Sequence, residues 1–431
     1  MLRQWLTAAL LLLPDAAFAQ AIPLDEAAGA FATARKVSQQ DAGRTWGMEV
    51  CGPMLFADAS TNDVVANQPD GENQLKPAGA VWQGRLPASI HVANTALEWS
   101  GVRWTMVMWP LPEDTRARAQ LLAHECYHRI QPALKLPAGD VVSSHLDGVP
   151  GRIWMFLEWR ALERALTELG DARKKAIGDA LRFREYRRSL IKNAARNENA
   201  LEMNEGLADY TGVRLANPNA ADRRAAAIFM LRDGPRRTSL VRSFAYVSGP
   251  AYGVLLDESG VEWRKTLTPA SDLGAILAHA YQVPVSRTDE VSAVAAAGEY
   301  GGDAVMAAET ARGQKREKEL AELRRRFIDG PVLIFPVLED FSFGFNPNDL
   351  VPLDENSTVY RWLRVSDRWG VLEANGGMLV RENGVVKRVV VPAPKSTAGN
   401  ALAGNDWKLD LKPGFKIVPG SRTGDLLLTK E

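Results

Sequence analysis

Residues 102–130 read VRWTMVMWPLPEDTRARAQLLAHECYHRI. This stretch is the key to the fold, because it combines one strand with the helix that follows it. Val102–Trp109 alternates enough to predict a strand, which ends at Pro110 and Pro112. The acidic pair that comes next favours the first turn of a helix, and residues 116–130 contain neither Gly nor Pro. The sequence therefore predicts a strand that leads into a helix of about four turns.

The predicted helix contains His124-Glu125-Cys126-Tyr127-His128, in which the two histidines lie four positions apart. Residues at this spacing project from one face of a helix, so both imidazoles can bind the same metal ion. Glu125 lies at the rim of that face, where a carboxylate can accept a proton from a metal-bound water. The whole chain has only 5 His, which makes a chance match improbable. We therefore expect a Zn²⁺ site with Glu125 as its general base.

A catalytic zinc ion needs a third protein ligand and leaves one position for water. Glu205 is the favoured candidate, within Asn-Glu-Gly-Leu-Ala-Asp-Tyr at residues 204–210 on a later predicted helix. Asp209, one turn further on, can hold a ligand imidazole through its second nitrogen. Glu158 is the rival ligand, and its other role would be that of a helix carboxylate paired with a basic neighbour. The residues alone leave this choice open.

The two motifs resemble those of the gluzincins, the thermolysin-like zinc peptidases of the peptidase MA-like branch. In that family H-E-x-x-H on one helix is completed by a Glu on a later helix. The 76 positions between the motifs here, residues 129–204, imply a helical insertion. The metzincins are excluded, because Gln131 and Leu134 replace the Gly and His of their motif. The resemblance implies three zinc ligands, one general base and one orienting acid: His124, His128 and Glu205; Glu125; and Asp209.

Peptide hydrolysis also needs a hydrogen-bond donor for the oxyanion in addition to zinc. We expect His145, in a polar loop between helices, and Tyr252, beside the turn at Gly249-Pro250, to be catalytic, with Tyr246 as a further candidate. Packing with a satisfied hydroxyl is the commoner role of a tyrosine. The oxyanion donor therefore stays open among these residues.

Two features of the helices are expected to be structural. Cys126 lies about 200° around the helix from His124, so we expect it to point away from the metal. Export would permit a disulfide with Cys51, but a free thiol is favoured. Residues 172–215 predict one long helix, and its basic run at 173–196 favours a solvent-exposed face.

The pattern along the chain predicts the α+β fold class. Residues 20–112 favour strands and turns, and residues 113–330 predict a helical zincin core. Residues 331–431 predict a small C-terminal β domain, in which Asn383-Gly384 is a strong hairpin signal.

Charge and the N-terminal residues limit where the protein acts. The 52 basic and 52 acidic side chains cancel, so no global field recruits nucleic acid. Residues 1–19 combine Arg3, the apolar run Leu6–Leu13 and Ala17-Phe18-Ala19, which is typical of a signal peptide cleaved after Ala19. We expect a periplasmic or secreted protein without a membrane span.

Taken together, these residues predict an exported zinc metallopeptidase that hydrolyses peptide bonds in a peptide or protein substrate. Val102–Trp109, as an exposed edge strand, would align an extended peptide. The alternative is a non-hydrolytic, zinc-containing envelope protein that binds partners through its β domain. Glu125 favours the enzyme, because a structural zinc site needs no general base.

Overall fold

The computed structural model describes residues 22–136, 141–284, 288–346, 349–394 and 401–431, so the predicted signal peptide lies outside the described residues. The α+β class is confirmed: one N-terminal helix is followed by strands, then by the helices of the middle of the chain, and then by further strands. The described helices are α1 Leu24–Asp41, α2 Thr115–Ile130, α3 Val149–Thr167, α4 Gly170–Ser189, α5 Ala194–Leu201, α6 Leu207–Ala216, α7 Ala220–Asp233, α8 Phe244–Glu258, α9 Leu273–Tyr281, α10 Glu290–Ala297 and α11 Gly302–Arg324. None of them is both long and apolar enough to cross a membrane.

The strands form one N-terminal sheet and two C-terminal sheets. Those of the N-terminal sheet are β1 Met54–Asp58, β2 Asp63–Ala66, β3 Lys76–Ala78, β4 Val81–Arg85, β5 Thr95–Trp99 and β6 Val102–Trp109. Those of the C-terminal region are β7 Val332–Pro336, β8 Ser342–Phe345, β9 Leu350–Pro352, β10 Ser357–Tyr360, β11 Leu363–Asp367, β12 Gly370–Ala374, β13 Gly377–Glu382, β14 Val385–Pro392, β15 Ala401–Ala403, β16 Trp407–Leu411, β17 Phe415–Pro419 and β18 Leu426–Lys430.

The N-terminal sheet has the strand order β3-β4-β2-β1-β6-β5. The predicted strand β6 is confirmed with its exact bounds, but the expectation that it is an edge strand is wrong. It pairs in parallel with β1, Met54 opposite Thr105, and antiparallel with β5, Thr95 opposite Met106. The long-range parallel pairing with β1, which no local pattern encodes, is what makes β6 internal.

A helix that the sequence pattern did not predict precedes this sheet. We expected strands and turns from residue 20 onward, whereas α1 occupies Leu24–Asp41. Its buried face is built mostly from small residues at helical spacing, Ala27, Ala30, Phe31 and Ala34. Alanine carries a weak hydrophobic signal, and this explains why the periodicity was missed.

The single long helix expected over residues 172–215 is also wrong, because the segment contains two interruptions. Asn193 adopts a left-handed conformation with φ 65° between α4 and α5. Residues Glu202–Gly206 then form a π-helix that continues directly into α6. π-helical turns are rare and often mark functional sites, and this one contains Glu205.

The C-terminal region contains a seven-stranded sheet and a five-stranded sheet that share a core. In β7, Leu333 and Phe335 face that core, whereas Val332 contacts a second cluster that includes Phe327, just after α11. The predicted hairpin is confirmed: β13 and β14 pair antiparallel around Asn383 and Gly384, with φ 52° and 80°. Two positive φ values are what a type I′ turn requires.

Cys51 and Cys126 form a disulfide, which corrects the expectation of free thiols. Cys126 is fully buried on the side of α2 away from the histidines, as its helical position predicted. The segment before β1 crosses that side of α2, and Arg129 donates a hydrogen bond to the Val50 carbonyl at 2.9 Å. This contact brings the Cα atoms of Cys51 and Cys126 within 4.9 Å.

Candidate metal centre

Helix α2 begins at a cap and places its histidines deep in the protein. Asp114 accepts a hydrogen bond from the Ala117 backbone at 2.7 Å, which satisfies one free N–H of the first turn. Three turns later His124 and Glu125 are 6% and 4% exposed, because α2 packs against α6 over this part of its length. The histidine motif of α2 therefore lies at the interface between α2 and α6.

Three of the predicted residues meet at this interface. His124 Nε2 and His128 Nε2 are 3.2 Å apart, and each lies 3.5 Å from Glu205 Oε2. Among the described residues, His124, His128 and Glu205 form the group whose ligand atoms are close enough together to hold a metal ion. The structure thus brings together the ligand set favoured from the sequence.

The second nitrogen of each imidazole has its own partner. His124 Nδ1 is 2.9 Å from Asp209 Oδ1, and His128 Nδ1 is 3.1 Å from Gln131 Oε1. When both Nδ1 atoms donate to these oxygens, both Nε2 lone pairs are directed to the centre of the cluster. Asp209 has the orienting position that the sequence predicted. Gln131 was not predicted in this role, although its position three residues after His128 is a signal that could have identified it.

The spacing of the three ligand atoms fits a tetrahedral zinc ion. With zinc–ligand bonds of about 2.0 to 2.1 Å, two ligand atoms of a tetrahedron are about 3.3 to 3.4 Å apart. The observed 3.2, 3.5 and 3.5 Å agree with that value within a few tenths of an ångström. The donor set of two imidazoles and one carboxylate is also that of catalytic zinc sites with an open fourth position.

Charge also favours a cation at this cluster. Burial disfavours the charged form of His124, but the carboxylates of Glu125, Asp209 and Glu205 outweigh it and raise the pKa of the imidazole. Burial would likewise raise the pKa of Glu205, yet its hydrogen bonds with His124 and His128 hold that pKa well below its usual range. Three carboxylates around two imidazoles give the cluster a net negative charge, which a proton or a metal ion can offset.

Glu125 lies beside the ligands without being one of them. Its Oε1 is 3.8 Å from His124 Nε2, and its Oε2 is buried with no hydrogen-bond partner among the described residues. Burial raises the pKa of Glu125, although the charges of His124 and His128 oppose that shift. A buried carboxylate oxygen without a partner is unusual and marks Glu125 as a candidate functional group.

The position of Glu205 depends on a close approach between its π-helix and α8. A Cβ on Gly249 would lie 2.3 Å from the carbonyl oxygen of Gly206, so only glycine allows this contact. Asn204 and Arg242 both donate to Glu205 Oε1 at 3.3 Å, which leaves Oε2 directed to the histidines. Gln131 in turn donates to Asn204 at 3.1 Å, so hydrogen bonds link the support of His128 to that of Glu205.

The same close approach brings Tyr246 into the site. Its ring stacks on His124 with the ring centroids 5.6 Å apart and the planes 9° from parallel. Burial, reinforced by the charge of Glu205 and a hydrogen bond to it, raises the pKa of the Tyr246 hydroxyl well above its ordinary value. Tyr246 therefore remains a hydrogen-bond donor at neutral pH.

His145 and Tyr252, which we expected to be catalytic, lie elsewhere. The Tyr252 hydroxyl is fully buried and donates to Glu158 at 2.8 Å, and His145 Nε2 is 2.8 Å from Glu198 Oε1. Tyr246 and Tyr252 are six positions apart on α8, so they face about 120° apart around the helix. Of these two tyrosines, Tyr246 contacts α2 through its ring stacking on His124.

The rival ligand Glu158 and the basic run belong to the same buried charge cluster as these two residues. Glu158 is 0% exposed and pairs with Arg187 and Arg184. Arg184 also makes a two-point hydrogen bond with Glu202, at 2.7 and 2.5 Å. The expected solvent-exposed basic face is therefore wrong for the arginines buried in this cluster, because carboxylates from neighbouring helices pair with them. Its charged members are Glu158, Arg184, Arg187, Arg188, Glu198, Glu202 and Asp272.

An open cleft of ≈ 580 Å³ leads to the metal-ligand cluster. Its walls come from three parts of the chain: Asn94 and Met108 from the N-terminal sheet region, Arg237 from the loop before α8, and Phe345 from β8. Phe345 and Arg237 were not identified from the sequence, since nothing in their local sequence indicates a place beside the histidines. The cleft is large enough for a segment of extended peptide.

Comparison of the chain with protein-family models, with curated proteins and with solved structures finds no match.

Proposed function

We propose that this chain is a zinc-dependent peptidase of the gluzincin type. One observation carries the proposal: two imidazoles and the Glu205 carboxylate converge with metal-ligand spacing beside Glu125, whose Oε2 is buried and has no partner among the described residues. A structural site would fill its positions with protein ligands and would not need such a carboxylate. The open cleft beside the cluster adds room for a substrate.

The proposed mechanism assigns one role to each residue. His124, His128 and Glu205 would hold the ion, while Asp209 and Gln131 orient the two imidazoles. A bound zinc ion supplies Lewis acidity, which lowers the pKa of water and polarises a carbonyl.

Proton transfer is assigned to Glu125 and oxyanion stabilisation to Tyr246. Glu125 accepts the proton of the attacking water and delivers it to the leaving amine, a role open to it because its buried Oε2 has no partner among the described residues. Tyr246 lines the cleft beside the ligands, and its protonated hydroxyl, which bonds Glu205 in the free site, is the donor that we assign to the developing oxyanion once substrate is bound. It replaces His145 and Tyr252 in this role.

Export to an oxidising compartment is part of the proposal. Disulfides persist in the periplasm and outside the cell and are rare in the cytosol. The bond between Cys51 and Cys126 therefore supports the location that residues 1–19 predict.

The decisive experiment replaces Glu125 by Gln in the zinc-loaded protein and measures turnover of a mixed peptide library. Glu125→Gln should keep about one zinc per chain and lose several orders of magnitude in rate, because it retains the ligands but not the proton acceptor. Glu113→Gln, at an exposed position just before α2, is the matched control and should behave as wild type. Near-wild-type hydrolysis by Glu125→Gln would refute the mechanism. A zinc-loaded wild type that cleaves no peptide would favour the non-hydrolytic alternative.

A further inference from the structure

The cleft contains one arginine without an acidic partner among the described residues. Arg242 lies in the same cleft but donates to Glu205, a ligand of the proposed zinc site. Arg237 is half-buried and takes part in no ion pair between described residues, and its buried Nε has no acceptor among them. A guanidinium in such a position has hydrogen-bonding capacity that a ligand in the cleft can use.

The carboxylates of the cleft lie around the histidines, and none of them forms an ion pair with Arg237 between described residues. Glu205 and Asp209 contact the ligand imidazoles at 3.5 and 2.9 Å, and Glu125 lies 3.8 Å from His124. A carboxylate that forms an ion pair with Arg237 would therefore have to come from a ligand and not from these cleft residues.

The backbone around Arg237 is held on both sides. Before it, Gly234 packs so closely on Trp159 that a Cβ there would lie 2.5 Å from the indole ring. After it, Asp147 accepts hydrogen bonds from the Ser239 hydroxyl at 2.8 Å and the Leu240 backbone at 2.7 Å. A cation on a fixed backbone loses less entropy when it binds a ligand than one on a mobile loop.

We propose that Arg237 binds a carboxylate of the substrate, so that this enzyme selects peptides with an acidic side chain or a free C-terminus near the scissile bond. A guanidinium binds a carboxylate through two parallel hydrogen bonds, and a single unpaired arginine matches a single carboxylate. The acidic residues of the same cleft would repel a polyanion such as a nucleic acid. This inference rests on the proposed peptidase function.

The test uses one internally quenched octapeptide pool in four versions, with Glu or Gln at a fixed position and a free or amidated C-terminus. Zinc-loaded wild type should cleave at least one carboxylate version with kcat/KM about 10- to 100-fold above the version that lacks both carboxylates. Which version is preferred distinguishes a side-chain carboxylate from a terminal one. Arg237→Gln should reduce this preference to less than about threefold, chiefly by lowering kcat/KM for the carboxylate version.

Arg236→Gln is the matched control, because the Arg236 side chain is 86% exposed and pairs with Asp233 at 3.5 Å. It should keep the preference. Equal cleavage of all four versions by wild type, or a preference that survives Arg237→Gln, would overturn the inference while the peptidase function stands.

If wild type cleaves none of the versions, the peptidase function fails and binding decides the inference. Fluorescence anisotropy then compares the four versions, labelled, on wild type and on Arg237→Gln. Tighter binding of a carboxylate version that is lost in Arg237→Gln would keep Arg237 as a carboxylate site. Equal binding of all four versions by wild type would refute the assignment of Arg237 as a carboxylate site.

Discussion

Replacing Glu205 and Glu158, one at a time, by Gln should separate metal binding from fold stability. Both carboxylates are buried, at 7% and 0% exposure, and both contact arginine, so the two variants are matched in burial and in the loss of charge. Only Glu205 places an oxygen 3.5 Å from both imidazole nitrogens. The two substitutions should therefore affect different quantities.

The expected magnitudes follow from these contacts. Structural zinc sites with four protein ligands bind zinc with about 10 to 16 kcal/mol, which is about 3 kcal/mol for one ligand, so Glu205→Gln should weaken zinc affinity about 100-fold. Glu158→Gln removes one of the two carboxylates that pair with the buried Arg187 and one of those that pair with Arg184, which should lower the free energy of unfolding by about 3 kcal/mol. Its zinc affinity should stay within about threefold of wild type.

Two measurements on each variant decide the matter. Competition with a chelator gives the zinc affinity, and urea denaturation of the metal-free protein gives the free energy of unfolding. The reasoning fails if Glu158→Gln loses zinc while Glu205→Gln retains it. The third ligand would then have to be assigned to α3.

Three further predictions concern the support of the site and the fold. Asp209→Ala should weaken zinc binding about 10- to 100-fold, because His124 loses the oxygen that orients its ring; a change below twofold in chelator competition would contradict this role. The double variant Cys51→Ala, Cys126→Ala should have a free energy of unfolding about 4 kcal/mol below that of wild type, since the disulfide closes a loop with a sequence separation of 75. The same variant should keep its zinc. Urea denaturation and elemental analysis check both parts, and loss of zinc would argue against the outward position of Cys126. Glu198→Gln should be destabilised at pH 7, because the pKa of Glu198 is held well below its usual range, against burial, by Arg187 and Arg188. A carboxyl group with a lowered pKa in the folded state stabilises the fold at pH values above its pKa in the unfolded chain, which is about 4.3. The difference in urea midpoint between wild type and Glu198→Gln should therefore narrow as the pH falls below about 4. A difference that stays constant with pH would refute this account.

The features that depend on local geometry could be predicted from the sequence alone. The spacing of four positions from His124 to His128 places both imidazoles on one helix face wherever that helix lies. The hairpin at Asn383 and Gly384 follows in the same way, because both residues tolerate the positive φ that the turn requires. The ligand pair, the position of Glu125 and the hairpin were therefore all readable before the fold was known.

The tertiary structure decided which residues complete the site. Glu205 and Glu158 are both helix carboxylates, and the packing of the π-helix on α2, with its glycine contact to α8, brings only the first to the histidines. Tyr246 and Tyr252 lie on one helix, and of the two it is Tyr246 that stacks on His124 of α2.

The missed elements have the same physical origin. Helix α1 has a buried face made largely of alanine, whose hydrophobic signal in a sequence is weak. The internal place of β6 depends on pairing with β1, about fifty residues earlier in the chain. Arg237 and Phe345 reach the cleft from distant segments. Helical and turn periodicities arise from contacts between near neighbours in the sequence, whereas the choice among equivalent carboxylates, phenols and arginines depends on which helices pack together.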